Sequence, residues 1–173
     1  YNSLSKTFNV SINTIKEYMS YLEEAYLFFS VNKFSFSYKK HVTTPSKVYS
    51  IDNGLINLVS FKFSKNKGRL LENLVFLELR RDKKEIYYHK KKKECDFLIK
   101  KELQVIQAIQ VTANLNDEKT KKREINGLIE AINEYDLEGG LILTEDEYDN
   151  MEKDGRVLKI RPIWFWLLNK EEW

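Results

Sequence analysis

From Gly68 onward the apolar residues switch spacing in an order that limits the fold more than any other feature of the chain. Over Arg69–Arg81, Leu70, Leu71, Leu74, Val75, Leu77 and Leu79 cover much of a helical surface, which predicts a largely buried helix. Short β-like runs follow at Glu85–His89, Glu94–Ile99 and Gln104–Thr112. A lysine turn and Lys100, Lys101 and Glu102 join them, and connections this short predict an antiparallel meander. A helix is then expected over Asp117–Glu134, a break at Glu138 and Gly139, and a strand over Gly140–Thr144. Such a helix-to-strand crossover predicts a parallel neighbour, and hence a mixed sheet. The tail reads as a strand at Arg156–Arg161, with Pro162 starting a helix over Ile163–Leu168. The order is α-β-β-β-α-β within an α/β class.

The first third has a different character. A short helix over Leu4–Asn9 is followed by Ser11, a good N-cap, and by Ile12, Ile15, Tyr18, Met19, Leu22 and Tyr26 at helical spacing. Leu27, Phe29, Val31, Phe34 and Phe36 then suggest a strand pair within Tyr26–Phe36, giving a winged-helix-like module. In such a module Asn13, Thr14, Lys16, Glu17 and Ser20 would face DNA, although Glu17 beside one lysine attracts phosphate poorly. Thr43–Ser46 is a break, Lys47–Ile51 a strand, and Asp52 or Asn53 a cap for a helix over Leu55–Val59. The polar stretch Lys62–Lys67 separates a module and connector at 1–61 from an α/β domain at 62–173.

At 173 residues, with 42% hydrophobic residues, the chain is expected to fold as two lobes. Its single cysteine, Cys95, excludes an internal disulfide. No apolar run approaches the roughly 20 residues of a membrane span, and no secretory signal pattern is present, so a cytoplasmic protein without a membrane partner is expected. A net charge of +3 does not demonstrate nucleic-acid binding. Its distribution says more: basic residues gather at Lys39, Lys40 and His41, at His89, Lys90, Lys91, Lys92 and Lys93, and at Lys119, Lys121, Lys122 and Arg123. On one face these clusters would track a phosphate backbone; separately they are a solvated hairpin tip and a solvated helix face.

Three acidic or amide positions can converge. Glu72 lies one turn into the first helix of the domain, Asp96 in the middle strand, and Gln110 with Thr112 at the end of the third. Strict alternation places Glu94, Asp96 and Leu98 on one face, and likewise Ala108, Gln110 and Thr112. This order and these positions resemble the PD-(D/E)XK, restriction-endonuclease-like superfamily. The resemblance implies a site in which Asp96, Glu72 and Gln110 hold Mg or Mn through oxygen, the ion activating water for phosphodiester hydrolysis. It also implies a lysine two residues beyond position 110, where this sequence has Thr112, which supplies no positive charge. Lys119 or Lys122 would have to reach in instead. The alternative reading is structural: Glu72 favours the positive end of its helix, Asp96 fills a hydrogen-bonded strand position, and Gln110 satisfies nearby backbone.

The stretches VSINTIKEYMSYLEEAYLF, KVYSIDNGL, GRLLENLVFLELRR, EIYYHKKKKECDFLI, VIQAIQVT and RPIWFWLL, taken in order, resemble the C-terminal region of a prokaryotic family of AAA-type P-loop ATPases. The likeness runs from Leu4 to Leu168 and implies a winged helix and a nuclease-like tail of unknown function, preceded by an ATPase domain. This chain has no G-x-x-x-x-G-K followed by Ser or Thr, so ATP would be bound only in that N-terminal domain. The expected function is that of a degenerate nuclease-like domain binding nucleic acid or a partner protein. The alternatives are an active Mg-dependent endonuclease with a relocated lysine, and a protein-interaction or homo-oligomerisation module using Trp164, Trp166 or Trp173. Core packing is the expected fate of Trp164 and Trp166.

Overall fold

The computed structural model describes residues 1–37, 44–59 and 67–169. Lys39, Lys40, His41, most of the Lys62–Lys67 stretch and Trp173 lie outside them. The chain forms two compact units, Tyr1–Ser30 with Val48–Lys62, and Val31–Lys47 with Phe63–Trp173.

In the first unit, helix α1 (Asn2–Phe8) ends on Asn9 in the left-handed conformation, φ 52°, so the chain turns at once into α2 (Ile12–Glu24). Ser11 caps α2, accepting from the Thr14 N–H at 3.0 Å. Strand β1 (Phe28–Val31) pairs with β2 (Lys47–Ser50), and Asp52 caps α3 (Asn53–Val59) by accepting from Leu55 N at 3.0 Å. The strand pair expected within Tyr26–Phe36 is therefore not formed. Instead Lys33 bridges Tyr88, with Phe34 N donating to Tyr88 O at 2.9 Å and Tyr88 N to Asn32 O at 3.1 Å. Phe34 is drawn there because its ring packs edge-to-face on Tyr87 and Tyr135, burying apolar surface that a local hairpin would leave wet.

The second unit is built on a mixed six-stranded sheet of order β3-β4-β5-β6-β8-β7. Helix α4 (Lys67–Arg81) leads into β3 (Glu85–Lys90), β4 (Glu94–Lys101) and β5 (Gln104–Val111), an antiparallel meander as the short connections require. Helix α5 (Glu118–Glu134), capped by Asp117, returns the chain to β6 (Gly139–Thr144), parallel to β5. Strand β8 (Arg156–Pro162) continues parallel to β6 and runs into α6 (Ile163–Leu168).

The edge strand β7 (Asp149–Lys153) has no counterpart in the hydrophobic pattern, since Met151 is its only apolar residue. Its hairpin with β8 is made by Asp154 and Gly155, at φ 52° and 72°, the left-handed pair of a two-residue turn that matches strand twist. The core joins Cys95, Leu98 and Ala108 of the meander to Ile125, Leu128, Ile129 and Ile132 of α5 and to Ile142, Leu158 and Ile160. Trp166 is buried, whereas Trp164, expected in the core, is 57% exposed. A six-residue helix lying on the sheet can bury only one side. Among the described residues no helix is long and apolar enough to cross a membrane.

Candidate functional site: a lysine-filled carboxylate cluster under a basic rim

The site lies beside an irregularity in the sheet. The register of β3 against β4 shifts between Tyr87 and His89, where two residues of β3 span three of β4. The bulge interrupts strict alternation, so Cys95 and Leu98, three positions apart, join the same apolar core. Glu94 and Asp96 are meanwhile turned toward one cation, the ammonium of Lys47.

Lys47 Nζ lies 2.8 Å from Asp96 Oδ1, 3.1 Å from Glu72 Oε1 and 2.9 Å from Glu94 Oε1. The second oxygen of Asp96 accepts from Gln110 Nε2 at 2.7 Å and from Val111 N at 3.0 Å. Gln110 Nε2 also donates to Glu124 Oε2 at 2.6 Å, and its Oε1 accepts from Asp96 N at 3.2 Å. This is the one orientation of the amide that faces nitrogen to carboxylates and oxygen to an N–H. Glu124 is held in turn by Arg123, whose Nε lies 3.0 Å from Oε1. Asp96, Gln110 and Glu124 are all buried.

Burial, and after it the neighbouring Glu72 carboxylate, pushes the Asp96 carboxyl up to about 7, against the pull of Lys47 and the Val111 N–H. For Lys47, burial works against the charge, but Asp96 and Glu72 outweigh it and hold the ammonium above the ordinary lysine range. The lysine is charged, and it is the counter-ion of the cluster.

The resemblance implies a divalent ion here, and that ion needs oxygen lone pairs turned toward it. Both Asp96 oxygens and the Gln110 oxygen are already taken by N–H donors, and a Glu72 oxygen by Lys47. Among the described residues no group of three or more His, Cys, Asp or Glu side chains is arranged to hold a metal. The donor set as folded does not fit a divalent ion.

The fold thus brings Glu72, Asp96 and Gln110 together, over a cleft of about 610 Å³ that Thr112 also lines. Thr112 donates its hydroxyl to Asn114 O at 3.2 Å. Arg69, Lys90, Lys92, Lys93 and Arg123 stand around the cleft. Lys91 does not line it and pairs with Glu134 at 2.5 Å, while Lys119 and Lys122 lie exposed or solvent-facing on α5, away from it. Lys90 is partly used by Glu94, at 3.0 Å, but Arg69, Lys92 and Lys93 form no side-chain ion pair among the described residues. Pattern reading missed Lys47, Glu94 as its ligand, Glu124 and Arg69. Lys47 gives no local signal, standing 49 residues before Asp96. Glu124 gives a weak one, as an acid beside the run from Lys119 to Arg123 on a helix meant to cover the sheet.

Two family models match: residues 1–66 match a domain of unknown function, DUF8612, and residues 67–165 match another, DUF4143. Lys47 lies in the first matched segment and its carboxylate partners in the second. The chain is similar to an uncharacterized protein of Methanocaldococcus jannaschii, 41% identical over 96% of this chain and 39% of the relative. It is also similar to an uncharacterized protein of Haemophilus influenzae, 28% identical over 91% of this chain and 38% of the relative. The chain therefore spans about two-fifths of the length of these curated relatives. No solved structure matches it. Because the second model covers more than half of its residues, the chain belongs to the family of the domain of unknown function DUF4143.

Proposed function

We propose that the second unit is a restriction-endonuclease-like domain that binds nucleic acid through its phosphates without cutting it, within a longer prokaryotic AAA-type ATPase. The carrying observation is the basic rim: Arg69, Lys92 and Lys93, unengaged by carboxylates among the described residues, stand with Arg123 over a cleft whose acids are engaged by Lys47, Lys90 and Arg123. Such a rim attracts a polyanion, and the cations seated among the acids offset much of their repulsion. The element order from α4 to β6, with Asp96 in the middle strand and Gln110 in the third, supports the nuclease-like reading. The α1–α2 pair beside a two-stranded ladder supports a winged-helix-like reading of the first unit. The greater length of both relatives supports a missing partner domain, which on this reading holds the ATP site.

The reading is tested by fluorescence anisotropy of labelled duplex and single-stranded oligonucleotides titrated with the chain. Binding should weaken linearly on a log–log salt scale, with a slope of about −3 to −4 on duplex for four phosphate contacts. Absence of binding at low salt would sink it. Cleavage of plasmid DNA with Mg or Mn, abolished by Asp96→Ala, would replace it with the endonuclease reading.

A second reading, a protein contact, is favoured by the exposed ring of Trp164, which packs edge-to-face on Phe165, itself against exposed Tyr148. Self-association or partner binding that resists salt and is lost in Trp164→Ala would support it.

A further inference from the structure

We infer that Lys47 is the resident cation of the Asp96 cluster, occupying the place that a divalent ion would take in a nuclease-like site, so that metal and Lys47 compete for the same carboxylates. The mismatch between the folded donor set and a metal ion carries the inference. One ammonium lies within 3.1 Å of oxygens from three carboxylates on two elements, Glu72 of α4 and Glu94 and Asp96 of β4. Such convergence around a point is what a cation site requires, and a lysine ammonium donates along three directions, which is the number of carboxylates it meets here.

The lysine is delivered, and does not merely drift in on a long side chain. Tyr88, whose ring centroid lies 5.7 Å from Nζ, donates its hydroxyl to Pro45 O at 2.5 Å, and Ser46 Oγ donates to Asn32 Oδ1 at 2.7 Å. These bonds anchor the segment entering Lys47 from both sides of Pro45 and Ser46. Asp96 is fixed as well, through Gln110 and Val111 N, so the two halves of the pair meet already oriented. A divalent ion has to displace an ammonium tethered to the fold, whose effective concentration no buffer matches. The site therefore stays metal-free while Lys47 is seated, and any change that withdraws Lys47 removes the ammonium shared by one oxygen each of Glu72, Glu94 and Asp96.

Mn titration of the whole chain, free of nucleic acid, followed by electron paramagnetic resonance and by thermal unfolding, tests this independently of the binding proposal. Wild type should show no Mn binding that depends on Asp96. Lys47→Met should bind Mn at least about tenfold more tightly than wild type and gain thermal stability with added Mn, and Lys47→Met with Asp96→Asn should lose both. Lys47→Arg, which keeps the charge, should behave as wild type. Should Lys47→Met not fold, Lys47→Met with Glu94→Gln, which carries one negative charge fewer, takes its place with the same expectation. Asp96-dependent Mn binding in wild type as tight as in the lysine variant overturns the inference, and so does a folded lysine variant that fails to gain Mn binding.

Discussion

Gly127 of α5 lies against the backbone of Glu94 so closely that a Cβ on it would stand 2.0 Å from the Glu94 carbonyl oxygen. The helix thus rests directly on the first residue of β4, the strand that carries the two acids turned to Lys47. Gly127→Ala should gain about 1 kcal/mol of helix propensity and lose more by forcing backbone from backbone, for a net destabilisation of about 2 kcal/mol in urea denaturation. Gly68→Ala, where a Cβ meets nothing within 4 Å, should be neutral or stabilising by up to about 1 kcal/mol. Equal effects at the two sites would refute the close-contact argument.

Lys47 and Asp96 should behave as a coupled pair. Removing Lys47 leaves Asp96, Glu72 and Glu94 without the ammonium they share in a largely buried setting, so Lys47→Met should cost about 3 kcal/mol, whereas Asp96→Asn, which leaves Lys47 paired with Glu72 and Glu94, should cost less. The double variant should cost less than the sum by about 2 kcal/mol. Additive losses in a double-mutant cycle would mean that the 2.8 Å contact carries no coupling.

His89, 1% exposed, contacts Tyr135 Oη at 3.1 Å and Glu130 Oε1 at 3.0 Å. Burial lowers its pKa despite the opposing pull of Glu130. As pH falls below 6.5 the unfolded chain takes up a proton that the folded chain refuses, so stability falls, by up to about 1.4 kcal/mol per pH unit. Asp96 has the opposite sign: its raised carboxyl binds a proton in the fold between about 7 and 3.8, so its contribution grows as pH falls through that range. Urea midpoints between pH 5 and pH 8 should separate the two, with His89→Gln removing an acid loss and Asp96→Asn an acid gain. Parallel pH profiles for both variants and wild type would contradict these assignments.

The basic rim and the outer face of α5 should differ in binding. Arg69→Gln with Lys92→Gln and Lys93→Gln should reduce the magnitude of the salt slope by about 2 to 3 on duplex, as three phosphate contacts are lost. Lys119→Gln with Lys122→Gln, away from the cleft, should change it by less than about 1. The reverse ranking in anisotropy titrations would move the nucleic-acid surface to the helix.

Much of the second unit was legible because its elements announce themselves locally. Leu70 to Leu79 mark α4, the Lys100–Glu102 connection forces a hairpin, and the helix ending before Gly139 requires a parallel return. Strand β7 was not legible, since its pairing with β8 needs backbone hydrogen bonds and an Asp154–Gly155 turn rather than apolar alternation. The partner of β1 was misplaced because apolar spacing shows that Phe29 and Val31 want burial and says nothing of the strand that covers them. Leu98 was assigned by alternation to the face of Asp96, and the bulge between Tyr87 and His89 undid that assignment.

The sequence by itself determined the order of helices and strands, the neighbourhood of Asp96 and Gln110 across adjacent strands, and the lack of a lysine at Thr112, all of which follow from residue type and short-range spacing. Only the tertiary structure decided which cation meets the acids. Lys47 and Asp96 are 49 residues apart, on segments with no shared periodicity, and their 2.8 Å contact exists because Tyr88 anchors Pro45 while Gln110 and Val111 N of the neighbouring strand hold Asp96. A charge pair of that kind is set by where two backbones are carried in space, and no local pattern encodes it.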